Sequence, residues 1–237
     1  MAQWTNEGSS GDALAALRDH VGELQLPQIA HGRRAIILFE GLQGSAKKLA
    51  LKQLATAFDP CHLHVYPTAF DRREASEGHW LARFWRQLPS AGNTSIFFRS
   101  WYRRVLDRVL GRTAEESIPR VFDEINEFEA QQRDYGTLLV KLYFDVSADV
   151  QEQRMARRRQ DPWRLRWDDK DFIRADEPAY QSALEQLRAN TDTRWSPWRT
   201  IDADDEHQAA LAALEAIADA WSKAMPSGPP QLVARSG

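Results

Sequence analysis

Apolar residues along the chain keep two rhythms, and the switches between them mark out the elements. Leu14, Leu17, Val21 and Leu24 recur at helical spacing and predict a first amphipathic helix, with residues 27–34 as a connector. Residues 35–39 are apolar without alternation, the pattern of a strand buried on both faces. A second helix follows, carrying Leu49, Leu51 and Leu54 and ending near Asp59 and Pro60. Residues 61–66 form a second strand, stopped by Pro67, and residues 72–88 a helix with Trp80, Phe84, Trp85 and Leu88 on one side. Residues 94–98 give a third strand, 114–133 a long helix, and 137–146 the strongest strand pattern in the chain. Residues 148–160 are helical and very basic, whereas 161–174, with Pro162, Trp163 and Trp167, have no clean period. A helix over 178–189, a short fifth strand over 198–201 and an alanine-rich helix over 203–224 complete the pattern.

Five strands separated by helices predict an α/β three-layer sandwich, a mainly parallel sheet with helices on both faces. In such folds the site lies at the carboxyl ends of the strands, where the stretches after Phe39 and Phe97 fall. The expected organisation is an N-terminal helix and flexible lead over 1–29, one domain over 30–224 and a disordered tail over 225–237.

With 237 residues, 43% of them hydrophobic, the chain can bury a substantial core without disulfides or metals. A formal charge of -3 offers no global attraction to nucleic acid or anionic membrane, so a polyanion site must be local. Cys61 is the one cysteine, which excludes an internal disulfide and fits a reducing, cytoplasmic setting. No signal peptide is recognisable, and no apolar run reaches the roughly 20 residues of a membrane helix. His62 and His64 alternate on the second strand and lack a third metal ligand, so they are taken as structural or surface residues.

The turn after the first strand runs Gly41-Leu42-Gln43-Gly44-Ser45-Ala46-Lys47-Lys48. A full phosphate loop reads G-x-x-x-x-G-K-S/T. Gly41 and Lys47 are in register, but Ala46 holds the second glycine position and Lys48 the hydroxyl position. The turn can aim backbone N–H groups and a helix N-terminus at an anion, and Lys47 can reach a phosphate. A plain strand-to-helix turn of any α/β protein explains the same letters, and both readings stay open on this motif alone.

Longer stretches decide more. These are FEG at 39–41, RFWRQLPSAG at 83–92, IFFRSWYRRVLDRVLG at 96–111, EINEFEA at 124–130, LLVKLYFDVSADVQEQR at 138–154 and TDTRWSPWRTIDADD at 191–205. Over residues 30–222 the chain resembles the family-2 polyphosphate kinases, most of all the polyphosphate:AMP phosphotransferase branch. The resemblance implies a P-loop kinase-like fold with a basic helical lid over about 154–174. It implies transfer of a phosphoryl group between inorganic polyphosphate and a nucleoside mono- or diphosphate, with magnesium. Lys47 and Arg99 take the catalytic positions; Gly41, Gly44, Ser45, Lys47, Lys48, Arg99, Arg104, Arg154 and Arg158 are the expected phosphate ligands.

Two acidic positions of the family pattern are missing. Gln43 replaces the acidic residue of GxDxxGK, and Phe98 the aspartate of FDRSWY, so no metal ligand is assigned and magnesium binding is expected to be impaired. Lys48 is a candidate replacement for the lost positive charge. Trp163 and Trp167 of the lid suit base stacking or packing equally, and Asp71, Arg72, Arg73 and Glu77 follow the strand where the family places acceptor contacts. Three functions compete: a polyphosphate-dependent phosphotransferase, a binding or regulatory pseudoenzyme, and an ATP-using P-loop kinase. The second would act as a homo-oligomer or pair with an active relative.

Overall fold

Alternate residues of the first strand, β1 (Arg34–Gly41), enter two different cores. Ala35, Ile37 and Phe39 join one cluster; Ile36 and Leu38 join another on the opposite face. Successive strand side chains point to opposite faces, so an apolar run without alternation is what a twice-covered strand needs. The computed structural model describes residues 7–68, 79–109, 118–161 and 172–230. The other strands are β2 (Leu63–Pro67), β3 (Thr94–Phe98), β4 (Thr137–Asp145) and β5 (Trp198–Asp202). They form one parallel sheet in the order β2-β3-β1-β4-β5.

On one face, α1 (Glu7–Ala30), α2 (Lys47–Ala57) and α8 (Glu206–Ala224) cover the sheet, with Val21, Leu54, Leu214 and Trp221 buried. On the other lie α3 (Ala82–Trp85), α4 (Arg103–Val109), α5 (Ile118–Asp134) and α7 (Pro178–Thr191), around Phe84, Val105, Ile125, Phe128 and Leu187. The basic helix α6 (Ala148–Arg159) leaves the carboxyl end of β4. The three-layer α/β arrangement is the one the element pattern predicts.

Several boundaries differ. Helix α1 does not stop before Pro27 but continues to Ala30. A proline inside a helix costs roughly 3 kcal/mol. Tertiary anchoring offsets it: the buried Gln28 amide bonds Thr94 Oγ1 at 2.9 Å and accepts from Trp221 Nε1 at 3.0 Å. His62 is not on the second strand. It sits in a short 3-10 turn, Pro60–His62, started by Asp59, whose carboxylate accepts from Cys61 N. His62 and His64 therefore do not share a strand face. The helix expected over 72–88 is reduced, among described residues, to the four residues of α3, and α8 starts at Glu206 rather than 203. Residues 72–78, 114–117, 162–171 and 231–237 lie outside the described residues. So do the expectations placed on Asp71, Arg72, Arg73, Glu77, Trp163, Trp167 and most of the lid.

Candidate functional site

The turn from β1 into α2 is held in a shape that alanine adopts reluctantly. Gly41 has φ 130°, and a Cβ there would meet Phe144 O at 2.4 Å, so no side chain fits. Gly44 has φ 85° and Ala46 φ 57°. Ala46 thus takes a left-handed conformation that a glycine would adopt freely, at a cost of roughly 1–2 kcal/mol. Across the sheet, Arg99 also has positive φ, 68°, and its N–H donates to Phe39 O at 3.0 Å. The site is framed by two non-glycine residues held in strained backbone.

Lys47 opens α2 and is buried. Its Nζ donates to the Gly41 carbonyl, to Leu42 O at 2.8 Å and to Ser45 Oγ at 2.9 Å. The Phe98 ring centroid lies 5.7 Å away. Burial, and then the nearby Arg99 charge, hold the Lys47 ammonium well below its ordinary pKa, with Glu40 opposing. Glu40 is the buried carboxylate between these cations. Burial raises its pKa, opposed by Ser100, Lys47 and Arg99. Its Oε1 accepts from Ser100 N at 2.6 Å and Ser100 Oγ at 2.7 Å, which ties the Arg99 turn to the end of β1.

A second buried acid supports the same turn from behind. Glu129 Oε1 accepts from Trp101 Nε1 at 3.0 Å and Tyr102 Oη at 2.6 Å, while Oε2 pairs with Lys141 Nζ at 3.0 Å. Lys141 also donates to Thr191 O at 2.7 Å. Burial, then the Glu129 charge, push the Tyr102 phenol well above its usual pKa. The Arg99-Ser100-Trp101-Tyr102 turn is therefore clamped at both ends by carboxylates.

An open groove of about 700 Å³ runs over the loop and along α6. Its cations include Lys47, Lys48, Lys52, Arg99, Arg157 and Arg158. Gly44 and Ser45 line it too. The expected ligands Lys47, Lys48, Arg99 and Arg158 thus come together. Arg154 lines the groove with them; Arg104 does not. Arg104 lies outside the groove lining, with its guanidinium 5.9 Å from the Trp80 ring centroid. Arg154 borders the groove but is committed to protein acceptors. Its Nη1 donates to Gly44 O at 2.8 Å and Ala203 O at 2.7 Å, its Nη2 to Asp204 O at 2.7 Å, and Glu206 pairs with its Nε at 3.3 Å.

Two carboxylates line the groove, Asp161 and Glu206, the latter paired with Arg154, but the loop itself offers few oxygen donors for a hard cation. Phe98 offers a ring, Lys48 a second ammonium and Gln43 an amide; Glu40 Oε1 is engaged by Ser100, and Ser45 Oγ by Lys47. Among the described residues no group of three His, Cys, Asp or Glu side chains is placed to hold a metal. Sequence reading missed Glu40, Glu129 and Gln151 as parts of the site. The signal for the first was a glutamate ending an otherwise apolar, doubly buried run.

The family described as Polyphosphate kinase 2 (PPK2) matches residues 6–228. A polyphosphate:AMP phosphotransferase of Pseudomonas syringae pv. tomato is 34% identical over 192 residues, covering 80% of this chain and 39% of the relative. One of the same description from Pseudomonas aeruginosa is 30% identical over 223 residues, covering 93% of this chain and 45% of the relative. The chain thus spans less than half the length of these two proteins. Among solved structures, the polyphosphate kinase 2 of Arthrobacter aurescens TC1 superposes with a TM-score of 0.85 at 26% identity, covering 95% of this chain and 83% of that one.

Proposed function

The chain belongs to the polyphosphate kinase 2 family, and from that membership we propose that it binds inorganic polyphosphate in the cationic groove and moves phosphoryl groups between it and a nucleoside mono- or diphosphate. The observation that carries this is the meeting of Lys47 and Arg99, from the ends of different strands, in one groove with Lys48, Lys52, Arg157 and Arg158. Phosphoryl transfer asks a protein mainly for positioned phosphates and positive charge, and this groove supplies the charge. Lys47 and Arg99 would hold the transferred group, and the N–H groups at the head of α2 the chain beside it.

The residues present do not fit a magnesium site built on protein carboxylates. Magnesium takes oxygen ligands in a near-octahedral set; Phe98 offers none and Gln43 only an amide where the family pattern has acidic residues. Metal binding by the protein is impaired in this reading, and turnover with it. That supports a second reading, in which the groove binds polyphosphate or nucleotide without transfer and the chain acts by pairing with a copy or an active relative. No helix among the described residues is long and apolar enough to cross a membrane. The proposed setting is the cytoplasm.

The test is a tripolyphosphate titration followed by a transfer assay with polyphosphate, nucleotide and magnesium. Salt-sensitive binding lost in Lys47→Met, with phosphorylated nucleotide formed, supports the phosphotransferase. Binding without product selects the second reading, and absence of binding overturns both.

A further inference from the structure

Helix α6 grips two consecutive carbonyls of the phosphate loop. Gln151, fully buried, donates through Nε2 to Gln43 O at 3.0 Å and to Ile173 O at 3.0 Å, and its Oε1 accepts from Ala175 N at 2.8 Å. Both amide donors are used. One turn on, Arg154 holds Gly44 O together with Ala203 O and Asp204 O from the turn between β5 and α8. With Glu206 at Nε, four of its five N–H donors face the protein. The fit is close: a Cβ on Gly44 would meet Gln151 Cγ at 3.2 Å.

A trans peptide is planar, so its C=O and N–H point in opposite directions. Holding Gln43 O and Gly44 O towards α6 turns the N–H groups of Gly44 and Ser45 away from it. Those groups belong to the turn that would cradle a phosphate, the Ser45 N–H also reaching Leu42 O at a long 3.4 Å. Four elements meet at two side chains: α6, the loop, the 173–175 strap before α7, and the turn after β5.

We propose that Gln151 and Arg154 are positioning residues for the loop, Arg154 acting through peptide orientation rather than as a phosphate ligand, and that Gln151 couples the loop to the 173–175 strap. Ordering of either segment then orders the other. The consequence for anion affinity rests on the polyphosphate reading above; the coupling itself does not.

Hydrogen exchange of the unliganded chain, read on peptides covering 41–49 and 172–182, tests the coupling without any ligand. Gln151→Met keeps the length and removes the amide; Arg154→Lys keeps the charge and removes the fork. Loop amides should exchange roughly tenfold faster in both variants, and strap amides also in Gln151→Met, while β1 and β4 stay protected. Unchanged loop exchange in both variants overturns the positioning role. So does Arg154→Lys with native loop exchange, the result expected of a ligand acting by charge alone. A Gln151→Met effect confined to one segment overturns the coupling. A parallel tripolyphosphate titration should show at least tenfold weaker binding to Arg154→Lys. A natural chain that binds no tripolyphosphate overturns the polyphosphate reading, and the exchange result still decides the coupling.

Discussion

The ring of Phe98 faces the ammonium of Lys47 at 5.7 Å, at the end of β3 where relatives of the FDRSWY pattern place an aspartate. The ring gives Lys47 a weak cation–π attraction and no acceptor oxygen, and Lys47 is bonded to its own loop oxygens. Restoring carboxylates should therefore reach both the metal and the lysine. In Gln43→Asp with Phe98→Asp, magnesium affinity should rise at least tenfold by calorimetry and phosphoryl transfer should rise with it. A double variant indifferent to magnesium would sink the account of these positions.

Lys48 is exposed on the groove rim, so its contribution is screened charge. Lys48→Gly should weaken tripolyphosphate binding roughly threefold at low salt and hardly at all at high salt. Titrations at two ionic strengths check this.

Ala46 carries left-handed strain that glycine would not. Ala46→Gly should raise stability by about 0.5–1 kcal/mol after glycine's greater unfolded-state entropy is subtracted, or about 1–4 °C in melting temperature. Calorimetric melting of the two proteins measures it.

Lys141 and Glu129 form an ion pair with both side chains fully buried. Lys141→Met leaves Glu129 without its cation and should cost about 3–5 kcal/mol in urea unfolding. Adding Glu129→Gln removes the uncompensated charge, keeps an acceptor for Trp101 and Tyr102, and should recover part of that loss. An additive double variant would contradict the pairing.

Asp205 caps α8, accepting from His207 N at 2.8 Å and Gln208 N at 2.9 Å. The Gln208 N–H first, then the His207 N–H, hold its carboxyl below the ordinary value of 3.8. A depressed folded-state pKa gives stability that is present above the unfolded value and lost as pH falls through the folded one. Asp205→Ala should cost about 1 kcal/mol at neutral pH. The gap to the natural protein should narrow below roughly pH 4. Melting curves across that range test the sign.

The sheet and the loop were legible because their determinants are local. An unbroken apolar run, two glycines and a lysine within 13 residues specify β1 and the head of α2. What escaped was settled by distant partners. Pro27 breaks a helix on paper, yet Gln28 is fixed by Thr94 and by Trp221, 66 and 193 positions away. Arginine spacing likewise does not announce the Arg154 contacts to carbonyls on a turn 49 residues on, or the place of Arg104 at the Trp80 ring. Glu129 serves Trp101 and Tyr102 of one turn and Lys141 of β4, and no spacing in the chain announces that convergence.

After α8, Gly228 O accepts from His31 Nε2 at 2.7 Å, a few residues before the amino end of β1. The cationic groove lies at the other end of the same strand. A reporter attached at Gly228 would therefore sit on the side opposite the groove. Anchored to a sensor surface in that orientation, the protein would present Lys47 and Arg99 to the flowing solution, making immobilised polyanion-capture measurements feasible without blocking the site.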